Sequence, residues 1–201
     1  MIAALYVDLS LGPYPRMGLD CWGWSSKDGA QQSLLARDRD ATLYSGVYPV
    51  IAHPPCGPWG RFSWNYKGGE GSRNCAIRAV EQVRSFRGVL EHPANSKLWK
   101  SQSLPEPGTD PDRFGGYTIR VNQCDWGHPA LKPTWLYIVG CDRSNLPPMP
   151  EPGNPTHVMV RLLRNNNDLP ELSKRIRHLT PDRFALWLVD LAQRCSSTPE
   201  Q

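Results

Sequence analysis

A cysteine in a proline-rich turn is the residue with the clearest chemical potential in this sequence. Cys56 lies in the segment HPPCGP (residues 53–58), directly after the apolar run VYPVIA at residues 47–52. A rigid turn behind a buried strand is a poor place for core packing, and a thiolate there is a candidate nucleophile. The alternative is a structural role, because cysteine is often buried.

A carboxylate occupies the corresponding place after the next strand. Apolar residues recur at helical spacing over residues 72–86 and predict an amphipathic helix. The strand predicted over residues 88–91 then ends at Glu91, before a second His-Pro pair. Since the carboxyl ends of parallel strands share one edge of a sheet, we expect Glu91 to lie near Cys56. The alternative is that Glu91 caps a loop amide.

A third polar segment, residues 123–133, precedes a strand predicted over residues 134–139. Lys132 in this segment and Arg61 after Cys56 are the cations suited to orient a substrate and neutralise its charge, although a solvated lysine is the alternative for Lys132. The other candidate substrate contacts in the three segments are His53, Pro55, Trp59, Ser63, His92, Gln123, Trp126 and His128.

These strand and helix signals predict an α/β fold built on a parallel sheet. A first strand is expected over residues 3–9 and a loop over residues 104–114. A last helix begins at Thr180-Pro181-Asp182, a cap residue followed by proline and an acid, and ends near Cys195. Trp99, Trp135 and Trp187 are assigned to packing.

The composition fits one globular domain. We expect that domain to span residues 1–195, with a proline-rich linker at residues 146–155 before a C-terminal helical segment, and a disordered tail at residues 196–201. No run of about 18 apolar residues occurs, which excludes a membrane-spanning helix. The six cysteines form no close pairs, which favours reduced thiols in the cytoplasm. A net charge of +4 permits a nucleic-acid partner without requiring one.

Histidine and cysteine also allow a metal site. His53, Cys56, Cys124 and His128 would supply four zinc ligands. Their spacing is not that of a zinc finger or ribbon, and the zinc deaminase pattern is absent from the sequence. The sequence therefore favours no metal, and the catalytic and metal interpretations compete for Cys56.

The order of these segments resembles that of small DNA (cytosine-5) methyltransferases over roughly residues 47–195. That family has a Pro-Cys loop followed by Phe-Ser, a glutamate at the end of the next strand, a basic segment before a later strand, and a Leu-Thr-Pro helix start. These features correspond to Pro55-Cys56, Phe62-Ser63, Glu91, residues 126–132 and Leu179-Thr180-Pro181. Lys132 stands where an arginine is usual. The chain is also similar to small uncharacterised phage and prophage proteins with a His-Pro-Pro-Cys loop.

The resemblance implies a Rossmann-like, methyltransferase-like fold in which Cys56 adds to carbon 6 of a cytosine. Cys56 would need a lowered pKa, supplied by Arg61 or by the amino end of a helix. Glu91 would hold or protonate the ring nitrogen beside the exocyclic amine, while Arg61 or Lys132 neutralises developing charge. Trp59, Trp64 and Trp126 would stack on a base held outside the duplex.

The resemblance also implies S-adenosylmethionine as methyl donor, held by Asp8, Leu9 and Gly12 after the first strand. DNA or a pyrimidine nucleotide would be the substrate. Because no separate target-recognition domain is expected, a protein partner would supply sequence recognition where it is needed. Two alternatives stay open: a pyrimidine carbon-5 enzyme that uses another donor, and a non-catalytic nucleic-acid-binding module of the same fold.

Overall fold

Six short strands form one mixed sheet in the order β2-β1-β3-β4-β6-β5. The computed structural model describes residues 1–10, 12–24, 39–60, 63–67, 70–159 and 169–195. The strands are β1 (Ala3–Leu5), β2 (Asp20–Trp22), β3 (Val50–Ala52), β4 (Gly88–Pro93), β5 (Tyr117–Asn122) and β6 (Pro133–Val139). The predicted α/β class is confirmed.

The prediction of a purely parallel sheet is wrong. β2, β1, β3 and β4 are parallel to one another, whereas β6 runs antiparallel to both β4 and β5. The short connection at residues 123–132 explains the reversal, because it holds only a 3₁₀ turn (Gln123–Trp126) and no crossover helix. A parallel pair needs a longer crossover connection.

Helices cover both faces of the sheet. They are α1 (Pro13–Arg16), α2 (Glu70–Phe86), α3 (Leu98–Ser101), α4 (Lys174–Arg177) and α5 (Asp182–Arg194). Because side chains alternate along a strand, Leu90 of β4 packs in the core beneath α2, whereas Val89 packs in the core beneath α5. The central strands β1 and β3 are completely buried, as their apolar sequences require.

The two long helices match their predictions within two residues. α2 begins at Glu70 rather than Ser72, and α5 spans Asp182–Arg194. The first strand is shorter than predicted, and β2 and β5 were not predicted. Residues 104–114 are a loop, as expected.

The proline-rich segment at residues 146–155 docks on the same domain. It contains no helix or strand. The indole Nε1 of Trp187 donates a hydrogen bond to the Pro148 carbonyl at 2.9 Å, and the Gly153 amide donates to Asp125 Oδ1 at 2.9 Å. The predicted tail at residues 196–201 lies outside the described residues. Within the described ranges, no helix is both long and apolar enough to cross a membrane.

Candidate active site

The carboxyl ends of β1, β3 and β4 form the edge of the sheet where the predicted residues lie. β2 pairs with one edge of β1, and β3, the next strand along the chain, pairs with the other edge of β1. In open α/β sheets, ligands usually bind at the carboxyl ends of the strands where the strand order reverses in this way. Asp8 follows β1, Cys56 follows β3 and Glu91 lies within β4, near its carboxyl end.

A hydrogen bond links the ends of β3 and β4. His53 Nδ1 lies 3.0 Å from Glu91 Oε2, and the two side chains are only 12% and 13% exposed. Glu91 is on the α5 side of the sheet together with Val89, because both residues occupy alternate positions of β4. His53 was predicted as a substrate contact; the structure makes it the direct partner of Glu91.

A hydrogen-bond chain extends this pair in both directions. The hydroxyl of Tyr14, in α1, lies 2.7 Å from His53 Nε2. On the other side, Gln123 Nε2 donates to Glu91 Oε1 at 3.0 Å and to Thr134 Oγ1 at 3.1 Å. Side chains from four separate segments therefore fix the position of the Glu91 carboxyl group.

The environment keeps Glu91 ionised. Burial opposes its charge, but the hydrogen bond from His53, together with the charge of Lys132, outweighs burial and lowers the pKa of Glu91 to about 2. Burial raises the pKa of Tyr14 well above its ordinary value, so its hydroxyl stays protonated. The chain is then satisfied when Tyr14 donates to Nε2 and His53 donates from Nδ1 to the carboxylate.

Cys56 differs from the other cysteines in its exposure. It is partly exposed, whereas the five other cysteines are buried. The expectation of a lowered thiol pKa is wrong for the described residues, since burial and the Glu91 charge raise the pKa of Cys56. Lys132 opposes that shift. Arg61, which was expected to lower the pKa of Cys56, lies outside the described residues.

Lys132 approaches the same edge from the segment before β6. Burial lowers the pKa of Lys132, while the charges of Glu91 and Cys56 act in the opposite direction. Its Nζ donates a hydrogen bond to the Leu179 carbonyl at 3.1 Å, within the Leu-Thr-Pro motif. Three predicted catalytic residues, Cys56, Glu91 and Lys132, are thus close enough to influence each other's ionisation.

Two tryptophans that were predicted to contact substrate are buried instead. Trp126 is buried in the core, with its ring 4.9 Å from that of Phe184. Trp59 is also buried and carries an Arg73 guanidinium 5.1 Å from its ring centroid. Neither ring has a free face for a base. Trp99 and Trp187 are buried and Trp135 is packed on the core, as predicted.

Two predicted histidines lie away from the carboxylate. His92 is completely buried on the α2 side of β4, with its ring edge-on to Trp99 and the Pro55 carbonyl nearby but outside hydrogen-bond geometry. Burial lowers the pKa of His92 to about 4, so the ring is neutral. His128 hydrogen-bonds the Ala130 backbone at 2.8 Å and lines a separate surface cavity with Arg183. Neither ring contacts Glu91.

The predicted cofactor residues form a closed turn after β1. Asp8 is exposed, and its Oδ1 accepts hydrogen bonds from the Ser10 amide at 2.8 Å and the Ser10 hydroxyl at 2.7 Å. The Gly12 amide donates to the Asp8 carbonyl at 3.2 Å. Leu9 packs against the core. Two amides of the turn are therefore used within it, and the Asp8 carboxylate accepts hydrogen bonds from Ser10.

The alternative metal ligands do not assemble. Among the described residues, which include His53, Cys56, Cys124 and His128, no three histidine, cysteine or acidic side chains are grouped as a metal site would require. Cys124 is buried.

The chain matches no protein-family model, and no curated protein is significantly similar to it. The site is therefore interpreted from its own geometry. Sequence reasoning did not identify Tyr14 or Thr134 as members of it. Tyr14 lies between Pro13 and Pro15, and no pattern in the sequence links it to His53, 39 residues away.

Proposed function

We propose that the chain is a DNA-modifying transferase of the cytosine-5 methyltransferase type, with Cys56 as the nucleophile. One observation carries the proposal: the one cysteine that is not buried lies beside an ionised glutamate and a lysine at the ligand-binding edge of the sheet. These three residue types are what attack on a pyrimidine ring requires, namely a nucleophile, a group that binds the ring's polar edge and a cation.

The chemical step begins at carbon 6 of the base. The sulfur of Cys56 forms a bond to carbon 6, and the carbon 5–carbon 6 π pair shifts toward the ring nitrogen N3, which takes up a proton. The thiol proton balances this uptake if the Glu91 carboxylate passes it to N3. Carbon 5 is then electron-rich and would take the methyl group as the carbon–sulfonium bond of the donor breaks and leaves a neutral thioether. Loss of the carbon 5 proton to solvent breaks the sulfur–carbon bond to Cys56, and return of the N3 proton through Glu91 restores the Cys56 thiol.

The charge state of Glu91 favours cytosine among the pyrimidines. Cytosine presents an exocyclic amine that donates hydrogen bonds, where thymine presents a carbonyl oxygen. An ionised carboxylate accepts hydrogen bonds and repels a carbonyl oxygen. Because His53 and Gln123 hold both oxygens of Glu91 in place, the carboxylate meets the base edge without reorganisation.

S-adenosylmethionine is the donor included in the proposal. It carries a sulfonium and an ammonium group, and the exposed Asp8 carboxylate after β1 suits either cation. When bound, it supplies an electrophilic methyl group to carbon 5. Asp8 would hold it, with Leu9 and Gly12 shaping the turn. The Ser10 and Gly12 amides are engaged within the turn, so Asp8 is expected to contribute most to binding.

Transfer of a labelled methyl group from S-adenosylmethionine to cytosine-containing oligonucleotides tests this proposal. We expect Cys56→Ala to abolish transfer and Asp8→Ala to weaken cofactor binding in calorimetry. Cys75→Ala, a buried cysteine in α2, is the matched control and should retain transfer. Transfer that persists in Cys56→Ala contradicts the assigned nucleophile. A folded wild-type protein that neither binds the cofactor nor transfers methyl contradicts the methyl donor and favours another donor.

A further inference from the structure

An exposed aromatic strip adjoins the Cys56 turn. Of the eight tryptophans, all within the described residues, Trp64 alone is exposed, at 79%. Tyr66 is 36% exposed, and its ring covers Gly57 so closely that a Cβ on Gly57 would lie 2.4 Å from Cε2 of Tyr66. The strip, defined as residues 63–67, is therefore continuous with the residue that follows Cys56.

Two lysines bring positive charge to this strip. Lys97 Nζ donates to Ser63 Oγ at 2.8 Å, which places one ammonium group on it. Lys67 is exposed at its end. Glu70, which follows the strip in the chain, is exposed in the first turn of α2.

Among the described residues, Trp64 belongs to neither hydrophobic core cluster. An exposed indole of this size contributes nothing to the core, and large exposed apolar groups beside a site often mark a binding surface. Aromatic rings interleaved with basic residues are the recognition pattern for unpaired nucleic acid, in which rings stack on bases and cations contact phosphates. A duplex hides its base faces and gives such rings nothing to stack on.

We propose that the strip binds single-stranded DNA next to the base that Cys56 attacks, with Trp64 stacking on a neighbouring base and Lys97 contacting the backbone. This inference rests on the proposed function and specifies its substrate as a single strand. Cys56 must reach a base outside a stacked helix, which a single strand provides without the energy needed to unpair a duplex.

Fluorescence anisotropy with a labelled 20-nucleotide single strand and the matching duplex tests the strip. We expect tighter binding of the single strand, and Trp64→Ala should weaken it by about tenfold, in keeping with the loss of one stacked base. Lys97→Ala should weaken the salt dependence of single-strand binding by about 0.7 in the log–log slope, the value for one phosphate contact. Phe114→Ala, an exposed aromatic beside Arg84, is the matched control and should leave binding unchanged.

The outcomes separate the strip from the proposed function. The proposal that the strip binds single-stranded DNA is contradicted if duplex and single strand bind with equal affinity. It is also contradicted if Trp64→Ala and Phe114→Ala have equal effects. Either result holds whatever the methyl-transfer assay shows. Single-strand binding that depends on Trp64 supports the strip even if Cys56→Ala shows no loss of transfer, because binding is measured without catalysis.

Discussion

His53 lies between a hydroxyl and a carboxylate, and this position determines where its protons reside. Because Tyr14 keeps its proton and Glu91 is ionised, we assign Tyr14 as the donor to Nε2 and place the His53 proton on Nδ1, facing Glu91. The carboxylate in turn stays charged in a mostly buried place because His53 and Gln123 both donate to it. Each residue of the chain thus supports the protonation state of the next, and the resting site presents an acceptor to the base.

Tyr14→Phe tests this chain, because it removes the hydroxyl and keeps the buried ring. We expect a loss of about 1 kcal/mol in unfolding free energy, the usual contribution of a hydrogen bond. Nitrogen NMR of the imidazole should also show that His53 changes from one tautomer to a mixture. Tyr44→Phe is the control, since the Tyr44 hydroxyl contacts the Tyr48 backbone and not a histidine. An unchanged His53 spectrum in Tyr14→Phe contradicts the assigned proton positions.

The sequence predicted part of this site for a physical reason. Cys56 follows β3 and Glu91 lies near the carboxyl end of β4, the next strand along the chain, and the ends of parallel strands lie together. Tyr14 could not be predicted because its contact with His53 depends on how α1 packs, which no local pattern encodes. Trp59 and Trp126 were assigned to substrate because an aromatic residue in a polar loop has no periodicity to reveal that it is buried.

At the scale of elements, the close pairing of β3 with β4 brings Cys56 and Glu91 together. Gly88 begins β4 with φ of +115°, a conformation that side chains rarely adopt. A Cβ there would lie 2.0 Å from the Val50 carbonyl oxygen on β3. β3 and β4, the two strands that carry the site, can therefore pair in this register only if residue 88 has no side chain.

Gly88→Ala should consequently destabilise the protein by more than 3 kcal/mol, as severe core strain does, or prevent folding. Gly18→Ala is the matched control: φ at Gly18 is +71°, yet no atom lies within 4 Å of a Cβ built there. That variant should lose only about 1 kcal/mol through backbone strain. Urea denaturation measures both. Similar losses in the two variants would show that the β3–β4 contact does not constrain the site.

Element prediction succeeded where a periodic signal was long. The apolar spacing of α2 and the Thr-Pro-Asp start of α5 led to the correct helices, although Pro181 rather than Thr180 occupies the cap position and no side chain caps the helix. β2 has three residues, too few for a period, so it was missed. β5 alternates Tyr117, Ile119 and Val121 with polar residues, and this strand signal was overlooked. The reversed direction of β6 depends on tertiary pairing and has no local signature.

At the scale of the whole molecule, two neighbouring residues of β4, Glu91 and His92, both lower the unfolding free energy as the pH falls. His92 has its pKa lowered from 6.5 to about 4, so the unfolded chain takes up its proton first as pH falls from 6.5. Glu91 has its pKa lowered from 4.5 to about 2, so its stabilisation is present above pH 4.5 and is lost as pH falls toward 2. Both groups make the folded state less stable in acid.

The unfolding free energy should therefore decrease between pH 6.5 and pH 4, by roughly 3 kcal/mol from His92 alone at 1.36 kcal/mol for each pKa unit. His92→Phe removes this titration while keeping a ring against Trp99, and should flatten that part of the profile. Urea titrations at intervals of half a pH unit measure it. A decrease of the same size in His92→Phe would assign the acid sensitivity to other groups.

The central claim, that Cys56 adds to a pyrimidine ring, is tested most directly by capturing the adduct. 5-Azacytosine keeps the exocyclic amine that Glu91 is proposed to bind and has a more electrophilic carbon 6. Intact-protein mass spectrometry after incubation with a 5-azacytosine oligonucleotide, offered as single strand and as duplex, should show one covalent adduct in the wild type and in Cys75→Ala, and none in Cys56→Ala. An adduct that survives in Cys56→Ala, or no adduct with a folded wild-type protein, would contradict the account.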